Sequence, residues 1–425
     1  MRLLRIMQAA DVARSIKPAV CPEVMEQARV IVERVRLGGE DAVRAYASDF
    51  DDRSPSAPLV LAPDAMQEAF ESIDEEARQL LRRVSDRIAR FAMAQRESIQ
   101  PMTIDVPGGK AGHTIEPVRS AGCYAPCGRY PLPSSVLMTA VTARVSGCKR
   151  VVVASPGANP LMLAAAHVAG ADEFLCAGGA HAIAAMAYGF SGFQRCDVIV
   201  GPGNAWVTAA KQIVSGVVGI DMLAGPSELL IIADETADPK LIAADLLAQA
   251  EHDVDAVPML LTTSSELVTA VERELADQLE SLPTAATARS ALANGFVVRC
   301  DSLSQAIALT DEIGPEHLEI MTRDASSIAE QVGNAGGVFI GSQTAEVYGD
   351  YGIGPNHTLP TGGTSRFSAG LSVASFLRLR TWVHIQSVGA NCGISEDVVQ
   401  MAETEGLVGH AMAVRVRAMP RGSDD

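Results

Sequence analysis

The spacing of apolar positions along the chain changes near residue 120. Before that point, segments 23–37 and 65–98 carry apolar residues at helical spacing among many charges, and the prolines of residues 54–58 separate the two. After it, short apolar runs alternate with longer amphipathic stretches. Short bounded runs are typical of buried strands, and an apolar period of about 3.6 residues predicts helices. We therefore expect a helical N-terminal region followed by an α/β region.

The region after residue 120 repeats the order of strand and helix. In chain order, the predicted strands are 150–154, 173–176, 197–200, 228–233, 258–262, 296–299, 318–321 and 337–340, and the clearest helix is 239–250. This order implies a parallel sheet with helices on its faces. We predict an α/β fold with two tandem Rossmann-like parallel-sheet domains, at residues 116–226 and 227–365. A mainly helical region at 1–115 precedes them, and a C-terminal helical segment at 366–425 follows.

Composition and charge narrow the class of protein. Its 425 residues are too many for a single small domain, because one domain typically holds roughly 100–200 residues. The chain is 48% hydrophobic and 20% charged, which is typical of a folded globular protein. Its formal net charge of −17 argues against binding to nucleic acid or to an anionic membrane surface.

The N-terminus and the cysteines indicate a cytoplasmic protein. Residues 1–7 lead into Asp11 and Arg14 without the sustained apolar run of a secretory signal. The uncharged stretch 174–194 is long enough to span a bilayer, but its glycines and His181 favour a strand, a loop and a helix. The eight cysteines are scattered without a CxxC pair, which favours reduced, mostly buried thiols over disulfides or a thiolate zinc site.

Histidines lie in or near segments rich in carboxylates, Gly and Pro at several points of the chain. Five of the eight do so, namely His181, His252, His317, His357 and His410. An imidazole beside a carboxylate can serve as a general base near neutral pH. Two imidazoles with an aspartate also suit a borderline metal such as zinc. The pattern therefore indicates a metal-dependent enzyme.

Each of these motifs, taken alone, also has a purely structural interpretation. Gln249 and His252 share one face near the end of a predicted helix, either as metal ligands or as solvated or capping residues. Asp350 and His357 flank a Gly-rich turn, where the carboxylate can bind metal or form an Asx turn. Gly201-Pro-Gly-Asn204 joins a strand to a helix, where main-chain N–H groups can hold a phosphate or simply form a turn.

Two further loops lie next to predicted elements. The Pro/Gly-rich loop at 124–135 precedes a helix that Ser134 or Ser135 can cap. The loop at 224–228 enters a strand, and Ser227 can be no more than a turn residue there. The dinucleotide fingerprint GxGxxG is absent after Gly201, because Trp206 stands at its third glycine position.

Taken together, the motifs resemble those of the histidinol dehydrogenase family. The matching segments, which run from about residue 120 to 412, are Tyr124-x-Pro, Gly178-Gly-Ala, Gly201-Pro-Gly-Asn204, Ala224-Gly-Pro-Ser-Glu228, Gln249-Ala-Glu-His252, Pro315-Glu-His-Leu318, Asp350-Tyr, Gly354-Pro-Asn-His-x-Leu-Pro360 and Glu405-x4-His410. They occur in the family's order, and the ordered set is specific although no single motif is.

The resemblance implies oxidation of L-histidinol to L-histidine through a bound aldehyde, with zinc and NAD+, as the last step of histidine biosynthesis. By position, it implies zinc ligands at Gln249, His252, Asp350 and His410, and acid/base residues at Glu316 and His317. The implied substrate contacts are Ser227, Gln249, His252, His317, Asp350, His357, Glu405 and His410, and the implied cofactor contacts are Tyr124, His181 and Asn204. It also implies a homodimer with shared active sites, in which the C-terminal segment reaches the partner subunit.

The residue types suit the implied chemistry. Zinc is redox-inert, so the hydride must pass to the nicotinamide. Removal of a proton from an alcohol needs a base with a pKa near neutrality, which suits His317. The aldehyde step needs an activated water, which suits the carboxylate of Glu316.

Two departures from the family pattern keep alternatives open. The family usually has Gln at the position of His181. Arg129 and Tyr130 follow Tyr124-Ala-Pro-Cys-Gly. This segment resembles the paralogous sulfopropanediol dehydrogenases, and the guanidinium of Arg129 suits a sulfonate. Pro131-Leu-Pro-Ser-Ser135 instead resembles the histidinol enzymes, which we favour. A noncatalytic zinc-binding relative is disfavoured because all the ligand and acid/base positions are filled.

Overall fold

Two compact units make up the chain. The computed structural model describes residues 2–15, 20–127, 131–386 and 393–418. The first unit comprises Met1–Arg96 with Val118–Phe376, and the second comprises Glu97–Pro117 with Leu377–Asp425.

Helices and strands alternate through most of the first unit, as expected. The α-helices of the chain are α1 (Pro22–Phe50), α2 (Pro63–Ser72), α3 (Glu75–Ser98), α4 (Pro133–Ser146), α5 (Pro160–Val168), α6 (Gly179–Tyr188), α7 (Ala205–Val214), α8 (Pro239–Ala250), α9 (Ser265–Leu279), α10 (Ala285–Leu292), α11 (Leu303–Ile313), α12 (Ala325–Ala329), α13 (Val347–Asp350), α14 (Gly393–Thr404) and α15 (Val408–Ala418). The strands are β1 (Arg5–Ile6), β2 (Val60–Leu61), β3 (Met102–Val106), β4 (Gly109–Pro117), β5 (Ser120–Tyr124), β6 (Arg150–Ser155), β7 (Glu173–Cys176), β8 (Val198–Val200), β9 (Gly219–Ile220), β10 (Glu228–Ala233), β11 (Val257–Thr262), β12 (Phe296–Arg299), β13 (His317–Met321), β14 (Gly337–Ile340) and β15 (Leu377–Ile385). The strands predicted between residues 150 and 340 are confirmed within one residue at either end.

The first sheet has the order β2-β7-β6-β5-β8-β9, and only its short edge strand β2 runs antiparallel. Along β6, Val151 and Val153 belong to one core cluster, whereas Val152 and Ala154 belong to the cluster on the other face. Strands covered on both faces carry continuous apolar runs, which explains why the sequence at Arg150–Ser155 lacks polar alternation.

Chain order in the first sheet reverses between β5 and β8. From β5 the chain adds β6 and β7 on one side, then returns to add β8 and β9 on the other. The loops after β5 and β8 therefore diverge at the carboxyl ends of these strands, and such a crevice commonly binds nucleotides. Tyr124 ends β5 and Gly201 follows β8, so both lie at this crevice.

The second sheet is parallel throughout and has the order β1-β12-β11-β10-β13-β14. Its order reverses between β10 and β13. The N-terminal strand β1 pairs with β12. The first residues of the region expected to be mainly helical, 1–115, therefore extend this sheet.

Asp234 closes the carboxyl edge of the second sheet at its point of reversal. Its carboxylate accepts N–H bonds of 2.9 Å from Thr236 after β10 and from Arg323 after β13. Burial would raise the pKa of Asp234, but these bonds and the Thr236 hydroxyl hold it below its usual value. One side chain thus ties together the two loops that would otherwise border a ligand crevice.

The amino edge of the second sheet gathers polar groups instead. Glu228 opens β10, and His317 opens β13. Helix α8 starts after the carboxyl end of β10 and leads to the amino end of β11, as a parallel crossover requires. Its last turn therefore carries Gln249 to the same edge, with His252 just beyond the helix end.

The second unit holds an antiparallel sheet of order β15-β4-β3 and the packed pair α14 and α15. These strands correct two expectations, because residues 102–115 and 377–385 belong to regions expected to be mainly helical. Leu377–Ile385 alternates apolar and polar residues, which is the period-two pattern of a strand. The expected terminal helix is split at Gly406, whose φ is +77°.

Helices long and apolar enough to cross a bilayer are absent from the described ranges.

Candidate active site

His317 is the central base of the candidate site. Its side chain is buried at the start of β13, and Nδ1 lies 2.9 Å from the main-chain carbonyl oxygen of Glu228. A carbonyl only accepts, so in the neutral ring Nδ1 carries the hydrogen and Nε2 keeps its lone pair. Burial lowers the pKa of His317 to about 4, so the ring is neutral at physiological pH. This value corrects the expectation of a pKa near neutrality. The geometry therefore supplies an imidazole base at Nε2.

Glu316 and Glu228 join the loops before β13 and β10 through reciprocal bonds. The Glu228 N–H donates to Glu316 Oε2 at 2.8 Å, and the Glu316 N–H donates to Glu228 Oε2 at 3.3 Å. Gly362 donates its N–H to the other oxygen of Glu228 at 3.1 Å. Burial raises the pKa of Glu316 well above its usual value and that of Glu228 to about 7. Glu228 can therefore hold or release a proton near neutral pH, whereas Glu316 favours its protonated form more than an exposed carboxyl does.

A second group of buried acids lies behind His317. Glu346 Oε1 is 3.2 Å from His317 Nε2, and the Glu346 side chain is 1% exposed. Burial, followed by the charge of Asp350, raises the pKa of Glu346 to about 8. Burial and then Asp245 raise the pKa of Glu319, in the middle of β13, to about 9. At neutral pH Glu346 therefore stays mostly protonated and adds no full negative charge beside Nε2.

His252 and Asp350 are paired at the outer side of the site. His252 Nε2 lies 3.5 Å from Asp350 Oδ2. This contact raises the pKa of His252, although burial opposes the shift. Burial alone would raise the pKa of Asp350, but His252 and the other histidines hold it below its usual value. The structure thus brings together two of the expected zinc ligands.

His357 links this site to helix α4. Its Nδ1 lies 3.2 Å from the main-chain oxygen of Asp350, and its Nε2 lies 3.2 Å from the hydroxyl of Ser135 on α4. The neighbouring Asn356 donates to the main-chain oxygen of Met138 at 2.8 Å. Burial lowers the pKa of His357. Its ring is therefore a neutral, fixed hydrogen-bonding group at the site.

Gln249 fits the demands of a metal ligand. It is completely buried, yet neither its amide oxygen nor its amide nitrogen hydrogen-bonds to any described residue. Leaving a buried amide unpaired costs about 1–3 kcal/mol. A metal ion bound by the amide oxygen of Gln249 would offset this cost. Ligand atoms of His317, Glu346 and Asp350 also lie within 4.8 Å of one another. The donor set near Asp350 thus fits a borderline cation.

The remaining expected substrate residues lie in different places. Ser227 is half-buried directly before β10, where its main-chain oxygen accepts from Val257 at 3.0 Å. Glu405 follows α14 and His410 lies on α15, so both belong to the second unit. Of the four expected zinc ligands, Gln249, His252 and Asp350 therefore lie in the first unit.

The expected cofactor residues Tyr124 and Asn204 lie at the crevice of the first sheet. The hydroxyl of buried Tyr124 accepts the Gly179 N–H at 3.1 Å, which fixes the start of α6. Asn204 is exposed and caps α7, accepting the Val207 N–H at 3.1 Å. The N–H groups at the start of α7 therefore face the end of β8, a favourable place for a phosphate.

His181 is placed differently from the expected cofactor contact. Its side chain is 2% exposed, and Nε2 lies 2.9 Å from Asp51 Oδ2. The same oxygen accepts the Gly178 N–H at 2.8 Å. His181 thus pairs with Asp51 inside the core and supports the turn before α6. Arg129 and Tyr130, the basis of the sulfonate alternative, lie outside the described residues.

Several groups of this site carry no sequence motif of their own. Glu319 lies on β13, Asp245 on α8 and Glu346 directly before α13, and only the fold brings them behind His317. Glu228 was visible as part of the motif at 224–228, but its bonds to Glu316 depend on the pairing of β10 with β13.

Comparisons with known proteins identify the family of the chain. The sequence profile of the histidinol dehydrogenase family matches residues 17–418. The chain is 44% identical to histidinol dehydrogenase from Thermus thermophilus, over 93% of this chain and 95% of that protein. It is 42% identical to histidinol dehydrogenase from Parasynechococcus marenigrum, over 93% of this chain and 91% of that protein.

A solved structure agrees over the whole fold. The crystal structure of histidinol dehydrogenase from Elizabethkingia anophelis superposes with a TM-score of 0.91 and 32% sequence identity, covering 98% of each chain. Profile, sequence and fold agree over nearly the full length, and the chain therefore belongs to the histidinol dehydrogenase family of oxidoreductases.

Proposed function

We propose that the protein oxidises L-histidinol to L-histidine in two successive NAD+-dependent steps, through a bound aldehyde and with one zinc site. In this role it performs the last step of histidine biosynthesis in the cytoplasm. The observation that carries the proposal is the buried neutral imidazole of His317, fixed by Glu228 and set beside Glu316 and Asp350 in a chain of this family.

The proposed zinc ligands are Gln249, His252, Asp350 and His410. When bound, zinc supplies a Lewis acid and a template for the amine and imidazole of the substrate. The unpaired amide of Gln249 and the closeness of His252 to Asp350 support this set. One carboxylate among four ligands leaves net positive charge, which favours neutral nitrogen donors from the substrate.

His317 removes the alcohol proton in the first step. Its Nε2 accepts the hydroxyl proton while the carbon-bound hydrogen leaves as hydride to the nicotinamide of NAD+, giving the aldehyde and NADH. The carbonyl of Glu228 stabilises the imidazolium at Nδ1.

Glu316 serves the second step, in which water adds to the aldehyde. Its carboxylate takes a proton from the attacking water, and a second hydride passes to a second NAD+ to give the carboxylate product. Because burial raises the pKa of Glu316, its base form becomes more populated as the pH rises.

The proposed substrate contacts beyond the ligands are Ser227, His357 and Glu405. His357 is held through Ser135 and Asp350, so its ring presents a fixed polar surface to a bound amino alcohol. A carboxylate such as Glu405 can accept a hydrogen bond from an N–H of the substrate's amine or imidazole.

The proposed cofactor crevice lies at Tyr124 and Asn204, at the reversal of the first sheet. His181 contributes to it through Asp51 and the turn at Gly178, in place of the direct contact that the family pattern suggested. The N-terminus of α7 favours the pyrophosphate of NAD+.

We also propose a homodimer with shared active sites. In the second unit many large apolar side chains are exposed, among them Met401, Val408 and Met412. Only Ala402 and Ala411 are buried in the described parts of α14 and α15. An apolar surface of this kind is typical of a subunit interface, and an exchanged terminal element is a common route to two-fold dimers.

The decisive experiment is reduction of NAD+ by the purified protein with L-histidinol. We expect two NADH per histidinol and histidine as the product. Reduction with a sulfonated diol, and none with histidinol, would replace the proposal by the sulfopropanediol alternative. Zinc binding without reduction of NAD+ by either substrate would indicate a noncatalytic relative.

A further inference from the structure

A buried ion pair holds both main-chain polar atoms of Gly201. The Lys211 ammonium donates to the Gly201 carbonyl oxygen at 3.0 Å, and Asp221 Oδ2 accepts the Gly201 N–H at 2.8 Å. Lys211 and Asp221 also contact each other, with side chains 2% and 0% exposed. Two opposite charges with no access to water therefore close on a single residue of the loop after β8.

The backbone at Gly201 needs such support. Its φ of +118° is rarely adopted by residues with a side chain, and an added Cβ would lie 2.1 Å from the Tyr124 carbonyl oxygen. Strands β8 and β9 are parallel neighbours, so Gly201 and Asp221 leave the same edge of the sheet side by side. Lys211 reaches this edge from the last turn of α7. The pair thus links the loop, the adjacent strand and the following helix.

Stability alone is a weak reason for burying this pair. Taking an ammonium and a carboxylate out of water costs several kcal/mol each, and apolar replacements of similar volume are often about neutral or stabilising. What apolar side chains cannot supply is a donor for the Gly201 carbonyl and an acceptor for its N–H. Those two bonds fix the direction in which the chain leaves β8 towards Asn204 and the start of α7.

We propose that Lys211 and Asp221 are positioning residues that hold the loop Gly201–Asn204 in the conformation that receives the pyrophosphate of a nicotinamide dinucleotide. The inference rests on the proposed function for the identity of the ligand. The ordering of the loop itself is independent of it. Because Tyr124 lies against Gly201, the same pair also sets the distance between the two sides of the crevice.

The test uses a charge-free double variant, Lys211→Met/Asp221→Leu, in the full-length protein. Replacing both partners avoids an uncompensated buried charge, which would cost about 3–5 kcal/mol and could prevent folding. A second variant, Lys211→Met/Asp221→Asn, keeps an acceptor for the Gly201 N–H. Hydrogen exchange of the peptide spanning residues 201–207 reports on the loop, and calorimetric titration with NAD+ reports on the crevice.

The matched control is a charge pair at the opposite edge of the same sheet. Arg150 and Glu173 open β6 and β7, and Arg150 Nε lies 2.6 Å from a Glu173 oxygen. The variant Arg150→Met/Glu173→Leu removes this pair and leaves the crevice untouched. Any general loosening of the sheet would affect the control as much as the test variant.

We expect faster exchange at residues 201–207 and at least about tenfold weaker NAD+ binding in Lys211→Met/Asp221→Leu, equivalent to about 1.4 kcal/mol. Lys211→Met/Asp221→Asn should recover part of both, and the control and the histidinol affinity should stay within about twofold of wild type. Unchanged exchange and NAD+ affinity in the folded Leu variant would overturn the inference. Failure of the wild type itself to bind NAD+, with a loop that still loosens in the variant, would count against the proposed function instead.

Discussion

His317 Nδ1 lies 2.9 Å from the main-chain carbonyl oxygen of Glu228, and this contact determines which ring nitrogen is the base. The contact joins two neighbouring strands, since β10 pairs with β13 and Leu229 is opposite His317. The tautomer is therefore fixed by the sheet itself rather than by a mobile side chain. Nε2 is then the basic nitrogen, and Glu346 Oε1 lies 3.2 Å from it.

His317→Asn should slow turnover of histidinol by at least about a hundredfold, because general-base catalysis commonly contributes about 10²–10⁴-fold. Asparagine can still donate to the Glu228 carbonyl, so zinc content and histidinol affinity should be retained. Steady-state kinetics, metal analysis and calorimetric titration measure the three quantities. His384→Asn, at an exposed position of β15, is the control and should keep wild-type activity. A mild effect at His317 would assign the proton transfer to another group.

Glu316→Gln should impair oxidation of the aldehyde more than oxidation of the alcohol. Burial raises the pKa of Glu316, so the carboxylate form that activates water becomes populated only at higher pH than for an exposed glutamate. In the wild type, the aldehyde half-reaction should therefore accelerate with rising pH more steeply than the alcohol half-reaction. Stopped-flow formation of NADH from each substrate separates the two. Equal, mild losses in both half-reactions would refute this division of roles.

The bounds of the parallel sheets could be predicted from sequence because their strands are apolar on both faces. Arg150–Ser155 and Glu228–Ala233 carry uninterrupted apolar runs between Gly, Pro and polar residues, and such local signals do not depend on partners. The strand at Leu377–Ile385 was not predicted, although its apolar and polar residues alternate with period two. It lies in the C-terminal segment 366–425, which was expected to be helical.

The site was predictable where one motif supplies both partners, as in Glu316 and His317. Glu346 and the Asp221–Lys211 pair could not be predicted, because only the order of the strands and the direction of the helices bring each residue to its partner. His181 lies near the start of α6, and its side chain contacts Asp51, which lies 130 residues earlier in the chain and so outside any local motif.

Gln249→Met should abolish zinc binding without unfolding the protein. Methionine has a similar volume and removes a buried amide that makes no hydrogen bond to the described residues, so the apo protein should lose little stability or gain some. His252→Ala should also lose zinc. Metal analysis after dialysis should give about one zinc per chain in the wild type and well under half of that in either variant. Full occupancy in both variants would remove these residues from the ligand set.

Glu319→Gln should stabilise the protein more at pH 9 than at pH 6. Folding raises the pKa of Glu319 from 4.5 to about 9, so the folded protein keeps a proton that the unfolded chain releases. The protonated side chain of Glu319 therefore makes its full contribution to the free energy of unfolding below about pH 4.5. This contribution is lost as the pH rises towards 9. The amide has no such proton to lose.

Urea unfolding of Glu319→Gln and the wild type at the two pH values measures this difference. The advantage of the variant should grow by about 1–4 kcal/mol between pH 6 and pH 9. Glu330→Gln replaces an exposed acid after α12 and should show no such growth. A constant difference between Glu319→Gln and the wild type at both pH values would show that Glu319 is not held protonated in the folded protein.

Two inactive variants, His252→Ala and His410→Ala, should restore activity when they are refolded together. His252 lies in the first unit and His410 in the second, and the proposal takes His410 from the partner subunit. In a mixed dimer one site combines both defects, whereas the other combines an intact His252 with the partner's intact His410. About half of the dimers are mixed and each has one good site, so about a quarter of wild-type activity should return. If mass spectrometry detects mixed dimers and the mixture stays inactive, each site is built within a single chain, and the exchange of the C-terminal segment is wrong.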